Sequence, residues 1–266
     1  VYNGQKSNIF QSAKDYASAG AVYMTTRRPV FDSTKRNNLR LSLKGGSFGT
    51  INPAALWEHR FNDKLDAQLS AEYLYTTGRY KFSYRKLDGY DTTEVRRNGD
   101  VSAVRAEAGL FGRIQNGGWR AKVYYYDSER GYPGASVREE PGKFRHEDRQ
   151  WDRNLFAQGS LRKHFGKRYS LMINAKYAYD FLHYLSDPRE DVSTMYVDNR
   201  YHQQEGYLSV ANELRIKDWW RASLSADVQL NTLTADLTDF AYPTRLTVLG
   251  AAATAIDFER FKMQAS

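Results

Sequence analysis

Long runs in which apolar and polar residues alternate are the feature that most constrains the fold of this chain. The clearest runs begin at Leu65, Leu171 and Ala222, and each lasts about ten residues or more. Alternation places successive side chains on opposite faces of a β-strand. Soluble strands average about five or six residues, whereas tilted strands that cross a bilayer need about 9–11. The run length therefore favours the wall of a membrane barrel.

The same alternation, followed along the chain, predicts about eleven strands. They lie near residues 38–46, 51–61, 64–77, 101–115, 118–128, 150–164, 168–184, 202–216, 219–231, 244–258 and 260–266. Every second connection is a tight turn, and those between are mostly long and polar, covering roughly 77–100, 129–149, 185–201 and 232–243. Outer-membrane barrels have this arrangement. A soluble sandwich or propeller of similar strand number does not require it.

The composition agrees with a barrel and excludes membrane helices. Mean hydropathy is −0.71, and no run approaches the roughly 18 consecutive apolar residues of a membrane helix. A barrel strand shows only every second residue to lipid, so its average hydropathy stays low. Aromatic residues make up 14% of the chain. The tryptophans fall near predicted strand ends, as in the aromatic girdles of barrels or as ordinary strand-end residues: Trp57, Trp119, Trp151, Trp219 and Trp220.

Charge and motif content argue against nucleic-acid binding and catalysis. The net charge is +8, but the basic residues are scattered and form no dense stripe. With no cysteine, a disulfide framework or thiolate metal site is impossible. His146-Glu147-Asp148 lacks the ligand spacing of a zinc site, and no nucleophile or phosphate-loop motif is present. We expect no enzyme activity, no catalytic residue and no cofactor.

The first thirty residues do not follow the alternation. A small-residue patch, Ala17–Ala21, leads into Ala21–Thr26 and then the basic pair Arg27-Arg28. This segment resembles the end of the plug domain of TonB-dependent outer-membrane receptors, in which the plug leads directly into barrel strand one, here matching 39–49. The familiar form has two adjacent glycines, whereas this chain has Gly20-Ala21.

The resemblance implies a fold and a division into domains. The fold class is all-β, a transmembrane antiparallel meander barrel with about eleven of an expected 22 strands. Residues 1–30 would form the C-terminal end of a plug and residues 31–266 the first half of the barrel. The chain would then be a piece of a larger protein that also contains the rest of the plug and a second barrel half. Strand one would run outward, which places every long loop outside and every tight turn in the periplasm.

The resemblance also implies a function, a location and partners. It implies active import of a scarce, bulky nutrient across the outer membrane of a Gram-negative bacterium, driven by the TonB complex through the missing N-terminal part. The other partners would be outer-membrane lipid, the ligand and a surface lipoprotein. Residues 129–135 and 240–245 look like receptors of Bacteroidetes, some of which resemble cobalamin transporters. Cobalamin therefore ranks first, ahead of haem or siderophore iron, then oligosaccharide or peptide.

Aromatic side chains in the proposed outer loops are the candidate ligand-binding residues. Amphipathic rings of this kind suit a bulky ligand, although loop packing or a girdle position also explains each one. The candidates are Tyr90, Tyr132, Tyr184, Tyr196, Tyr201 and Tyr242. No metal site is expected, with Asp88, Asp91, Asp187 and Asp191 as weak calcium candidates.

Two simpler assignments remain open for the charged residues. Neighbouring arginines could pair with the loop carboxylates and leave no calcium site. Polar residues predicted to face the lumen would contact a plug or lumen water rather than ligand; they are Glu72, Arg105, Glu107, Lys176, Asp180 and Asp227.

The rival interpretation is a self-contained small barrel of ten or twelve strands that acts as a passive pore or an adhesin. Such a barrel must close, so the strand near 38–46 would pair with the last strand. This pairing distinguishes the two interpretations.

Overall fold

The computed structural model describes residues 2–3, 8–18, 20–21, 26–32, 34–85, 89, 91–133, 148–186, 196–258 and 261–266. It is almost entirely β-structure, with one short helix, α1 (Ala13–Tyr16). The strands are β1 (Tyr2–Asn3), β2 (Gly20–Ala21), β3 (Asn37–Gly46), β4 (Thr50–Asn62), β5 (Leu65–Thr76), β6 (Tyr80–Arg85), β7 (Asp91–Arg96), β8 (Val101–Ile114), β9 (Gly117–Tyr132), β10 (Asp148–Phe165), β11 (Tyr169–Ser186), β12 (Val197–Lys217), β13 (Trp220–Ala235), β14 (Thr244–Phe258) and β15 (Phe261–Ala265).

Eleven strands form one antiparallel sheet in which nearly every strand pairs with its neighbours in sequence. The order is β15-β14-β13-β12-β11-β10-β9-β8-β5-β4-β3. A separate hairpin, β6–β7, is inserted between β5 and β8. The predicted all-β antiparallel meander is therefore confirmed. No helix in the described part of the chain has the length and apolar character to span a membrane.

Each of the eleven predicted strands is present, and the differences lie mainly at their ends. The strand predicted over 202–216 extends over Val197–Lys217, and the one predicted over 118–128 continues to Tyr132. The hairpin within 77–100 was not predicted, because polar residues dominate that connection. In the structure its strands pair only with each other.

The connections alternate in length between the two ends of the sheet. At one end, the short-turn rim, the described connections are 63–64, 115–116, 166–168 and 218–219. At the other end, the long-loop rim, most connections are longer. Asn116 takes φ +57, a left-handed conformation that asparagine tolerates better than most residues and that suits a tight turn.

The two edges of the sheet do not meet. Among the described residues, β3 pairs only with β4, and β15 pairs only with β14. The closure that a self-contained small barrel requires is therefore not seen in the described part of the chain.

The two faces of the sheet differ sharply in chemistry. We call the face contacted by residues 8–18 and 26–32 the inner face and the opposite one the outer face. The large apolar side chains that the main sheet exposes lie, by strand register, almost all on the outer face. They include Leu39, Leu41, Leu43, Trp57, Leu69, Val104, Leu110, Val123, Leu155, Tyr177, Leu208, Leu224, Val228, Leu230, Leu246 and Val248. Apart from Phe111, the buried residues of the inner face in the described sheet are small or polar, such as Ser209, Ala211 and Asp227.

Candidate functional site

Ion pairs between adjacent strands line the inner face. An acid on one strand lies beside a base on the next, an arrangement that stabilises antiparallel pairing. The pairs are Glu72–Arg105 at 3.0 Å, Glu107–Lys122 at 2.7 Å, Asp152–Arg130 at 2.7 Å, Glu205–Lys176 at 2.9 Å and Glu213–Arg221 at 3.4 Å. The inner face thus presents a polar wall.

Asp227 joins the N-terminal segment to this wall. Its carboxylate is 2% exposed and accepts hydrogen bonds from the backbone N–H groups of Ala13 at 3.2 Å and Lys14 at 2.8 Å. The Tyr207 hydroxyl donates a third at 2.8 Å. A buried carboxylate is costly unless such donors surround it. Asp227 therefore belongs to the contact between residues 8–18 and the sheet.

The structure of α1 explains why it needs a partner. The first N–H groups of a helix have no acceptor within the helix. Ser12 begins a capping box with Asp15, whose N–H bonds the Ser12 hydroxyl at 3.2 Å. The N–H groups of Ala13 and Lys14 remain, and Asp227 accepts from both.

Further contacts hold the same segment. Ile9 is fully buried and packs against Ala253 and Ala255 of β14. The Arg162 guanidinium lies over the Phe10 ring at 4.8 Å. The Lys14 ammonium reaches Gln229 on β13 at 3.3 Å. Only a small apolar cluster is formed, and polar contacts supply much of the remaining interface.

Residues 26–32 contact the opposite part of the sheet. Arg28 pairs with Asp66 at 2.7 Å and donates to the Phe111 carbonyl at 3.2 Å. The Arg60 guanidinium lies over the Phe31 ring at 4.7 Å. Residues 8–18 and 26–32 therefore contact strands near opposite edges of the sheet. That residues 1–30 end a plug domain stays a prediction.

Two of the predicted ligand-binding tyrosines lie together at the long-loop rim. The rings of Tyr132 and Tyr184 are 6.2 Å apart on the inner face. The Tyr184 hydroxyl donates to Asp148 at 2.8 Å, and the Tyr132 hydroxyl donates to Gln150 at 2.8 Å. We call these four residues the rim cluster. It offers ring faces and paired polar groups to the space above the inner face.

The other predicted tyrosines are dispersed. Tyr201 lies on the inner face of β12, and its hydroxyl accepts from Asn199 at 3.3 Å. Tyr196 donates to Asp198 at 3.3 Å on the outer side. Tyr242 is exposed between β13 and β14 and packs edge-on against Phe240. Tyr90 lies outside the described residues.

Of the weak calcium candidates, the structure describes only Asp91. Asp91 begins β7 opposite Arg85, and Asp88, Asp187 and Asp191 lie outside the described residues, as do His146 and Glu147. Within the described ranges, no group of three His, Asp or Glu side chains could hold a metal ion.

Asp100 pairs with an arginine, as the simpler assignment for the loop carboxylates requires. Arg149 contacts Asp100 at 2.8 Å and Glu129 at 2.7 Å. This guanidinium holds the pKa of Asp100 below its ordinary value. Asn98 donates to the carbonyls of Tyr132 and Asp148. The end of the connection that carries β6–β7 is thereby fixed to β9 and β10.

Aromatic side chains frame the apolar outer face at both ends. Trp151 stacks on His183 at 4.6 Å near the long-loop rim. Near the short-turn rim Trp219 stacks on Trp220 at 6.3 Å, and Trp119 lies two residues into β9. Trp57 is further inside its strand but joins the same rim through His59, on which it stacks at 5.5 Å.

The sequence predicted that Asp227 is one of the polar residues that face the lumen. In the structure Asp227 accepts hydrogen bonds from the N-terminal residues Ala13 and Lys14. Sequence reasoning missed Asp148 and Gln150, which position the rim tyrosines. Both lie on the same face as Tyr132, so continued alternation through the start of β10 would have found them.

Comparisons with known proteins give a likeness of fold among solved structures but no matching family. The sequence matches no protein-family model and no curated protein. Among solved structures, the fold is similar to the ferripyoverdine receptor of the outer membrane of Pseudomonas aeruginosa, solved bound to ferripyoverdine. The TM-score is 0.48 and the identity 15%, over 86% of this chain and 37% of the receptor. This chain thus spans well under two thirds of that receptor's length.

Proposed function

We propose that this chain is part of an outer-membrane importer whose N-terminal residues occlude the inner face of a barrel wall and move during transport. One observation carries the proposal: residues 8–18 are held against the inner face by Asp227, while the opposite face exposes large apolar side chains. A passive pore has no need of a specifically anchored segment on its inner wall.

The outer face supports a membrane location. Leu41 and Leu43 are each 71% exposed, and contiguous apolar surface on this scale marks contact with lipid or protein. On β10 the charged residues Arg153 and Lys163 bracket the apolar stretch that includes Leu155 and Leu161. The nine residues between them match the roughly 9–11 needed by a tilted strand that crosses a bilayer.

The anchoring of residues 8–18 supports a movable plug. The apolar cluster at this contact contains Ile9, Ala253 and Ala255, with Tyr16 packed against it, and Phe10 and Ala13 of the same segment are also buried. Hydrogen bonds and an Arg–aromatic contact make up much of the remainder. Segments with few buried apolar contacts open at low free energy. Energy delivered by the TonB complex, through a part of the protein outside residues 1–266, would release this contact.

The ligand proposal follows the resemblance and the rim cluster. Tyr132 and Tyr184 would meet ligand at the extracellular rim, with Tyr201 below them. Tyr90 and Tyr242 remain candidates from the sequence, whereas Tyr196 lies on the outer side. Cobalamin in a Bacteroidetes bacterium is the first candidate, then haem or siderophore iron. A surface lipoprotein could cap the rim.

The experiment is uptake in a deletion strain complemented with the full-length protein. Labelled cyanocobalamin, haem and a ferric siderophore are supplied separately, with and without a protonophore, and the protein is located by membrane fractionation. The proposal expects outer-membrane protein and uptake of one ligand that stops when the proton gradient is dissipated. Uptake that persists without the gradient, or protein absent from the outer membrane, contradicts it.

A further inference from the structure

Aromatic residues on the inner face are concentrated on four adjacent strands. Strands β9–β12 carry seven inner-face Phe, Tyr or Trp residues by register, whereas the other strands of the described main sheet carry one, Phe111. The seven, which we call the inner strip, are Tyr124, Tyr126, Tyr132, Phe156, Tyr184, Tyr201 and Tyr207. The strip starts at the rim cluster and continues toward the middle of the strands.

The middle of the strip is a stacked aromatic pair flanked by cations. Tyr124 and Phe156 are stacked with centroids 4.8 Å apart and planes at 19°. The Lys122 ammonium lies 5.9 Å from the Phe156 ring, and the Arg105 guanidinium lies 5.9 Å from the Tyr126 ring. All the rings are half-buried. Within the described residues 8–32, no hydrogen bond or ring contact reaches this pair.

A cationic cavity lies at the lower end of the strip. Its volume is about 240 Å³, and Phe111 and Tyr207 contribute rings to its lining. Three cations line it, Arg120, Lys122 and Lys176. Lys122 and Lys176 are already paired with Glu107 and Glu205. Arg120 donates to the Ser160 hydroxyl at 3.0 Å and makes no salt bridge within the described part of the chain. This cavity therefore has the charge to receive an anion.

We propose that the inner strip and the cavity below it form a second binding region for a ligand with a flat ring face and an anionic group. The inference rests on the proposed transport function and narrows its ligand class. Rings bind the flat face by stacking, and Arg120, which has no carboxylate partner in the described part of the chain, binds the anionic group by a charge-assisted hydrogen bond. A neutral oligosaccharide would leave Arg120 without a counter-charge.

The test uses the trisulfonated dye pyranine, which has a flat ring system and three anionic groups, with full-length protein in neutral detergent. Binding is followed by fluorescence anisotropy. The double substitution Tyr124→Leu with Phe156→Leu is expected to weaken binding about fivefold or more, since it removes two aromatic contacts. Arg120→Gln is expected to weaken it and to reduce its salt dependence.

Two matched controls lie on the outer face. Tyr125→Leu removes the ring next to Tyr124 on the opposite face of β9, and Lys163→Gln removes an outer cation of β10. Both are expected to bind pyranine like wild type. Sodium sulfate and maltose are then tested as competitors of pyranine. Competition by sulfate would show that the region binds any anion, and competition by maltose would show that it binds any ring-shaped solute. Displacement by either at concentrations comparable with pyranine overturns the proposal.

The outcomes also separate this inference from the transport function. No pyranine binding, or equal weakening by Tyr125→Leu and by the Tyr124/Phe156 pair, overturns the strip while leaving gradient-dependent uptake intact. If pyranine binding depends on the inner strip but the protein shows no energy-dependent uptake, the binding region stands and the proposed transport function is wrong.

Discussion

The carboxylate of Asp227 accepts a 2.8 Å hydrogen bond from the backbone N–H of Lys14, a residue 213 positions earlier in the chain. The same carboxylate accepts from Ala13 and from the Tyr207 hydroxyl. A main-chain donor cannot be altered by side-chain substitution at Lys14, so the acceptor Asp227 is the residue through which this contact can be tested.

Asp227→Asn is expected to loosen residues 8–18 without preventing insertion of the sheet. The amide is neutral and keeps one acceptor oxygen, so at least one hydrogen bond to a charged group, worth about 1.5–3 kcal/mol, is weakened or lost. Hydrogen exchange measured by mass spectrometry should become faster in peptides covering residues 8–18. Asp236→Asn, at the far end of β13, serves as the control and should leave that exchange unchanged. Equal protection in Asp227→Asn and wild type would contradict the anchoring role.

A charged side chain at the centre of the outer face should destabilise the inserted protein. Val248 is 65% exposed and lies opposite Val228 on the outer face. Val248→Arg is expected to destabilise the vesicle-inserted protein by about 2–4 kcal/mol, the cost of an arginine at the bilayer midplane. The neighbouring inner-face variant Thr247→Arg should cost clearly less. Urea titration in lipid vesicles measures both, and similar values for the two would argue against a lipid-facing outer surface.

The rim cluster should affect ligand binding independently of insertion. Tyr184→Ala removes a ring that faces Tyr132 and leaves Asp148 without its tyrosine donor. We expect about a tenfold or greater loss of affinity for the transported ligand, as for contact residues of a binding centre. Tyr177→Ala, on the outer face of the same strand, is the matched control. Affinity measured by calorimetry should distinguish them, and an unchanged Tyr184→Ala would remove the cluster from the binding site.

The long-loop rim should resist acid through Asp100. Because Arg149 lowers the pKa of Asp100, the ion pair stabilises the folded rim fully above the ordinary aspartate pKa of about 3.9 and is lost only as pH falls through the lowered value. Limited proteolysis by pepsin of the connection 77–100 should therefore stay slow down to about pH 4 and accelerate below it. Arg149→Gln should be cleaved faster even near pH 5. Identical profiles for the two proteins would show that the pair does not hold this connection.

Local alternation was enough to predict the strands. Successive side chains of a strand point to opposite faces, and the two faces of this sheet meet different environments, so apolar and polar residues alternate. It was also enough to place Asp227 and Glu72 on the inner face. The outward position of Tyr196 follows from the same parity, since it hydrogen-bonds Asp198, an outer-face residue of β12. Treating all loop aromatics as one set hid that difference.

The contacts that define the site join residues far apart in the sequence, and a local pattern of alternation does not show which of these residues meet. Alternation cannot show that Asp227 meets the N–H groups of α1, because the partners are more than two hundred residues apart and the helix has only four residues. The β6–β7 hairpin was missed for another reason. Its strands are six residues each and pair only with each other, so no buried face enforces a strong apolar pattern.

The most direct test of the account is to lock residues 8–18 to the wall. Lys14→Cys and Gln229→Cys place thiols where the two side chains now meet at 3.3 Å, in a chain with no other cysteine. A bis-maleimide with a cleavable central disulfide then bridges them. The account predicts that the bridged full-length protein still binds its ligand but loses energy-dependent uptake, and that reduction restores uptake. Undiminished uptake by fully bridged protein would contradict the account.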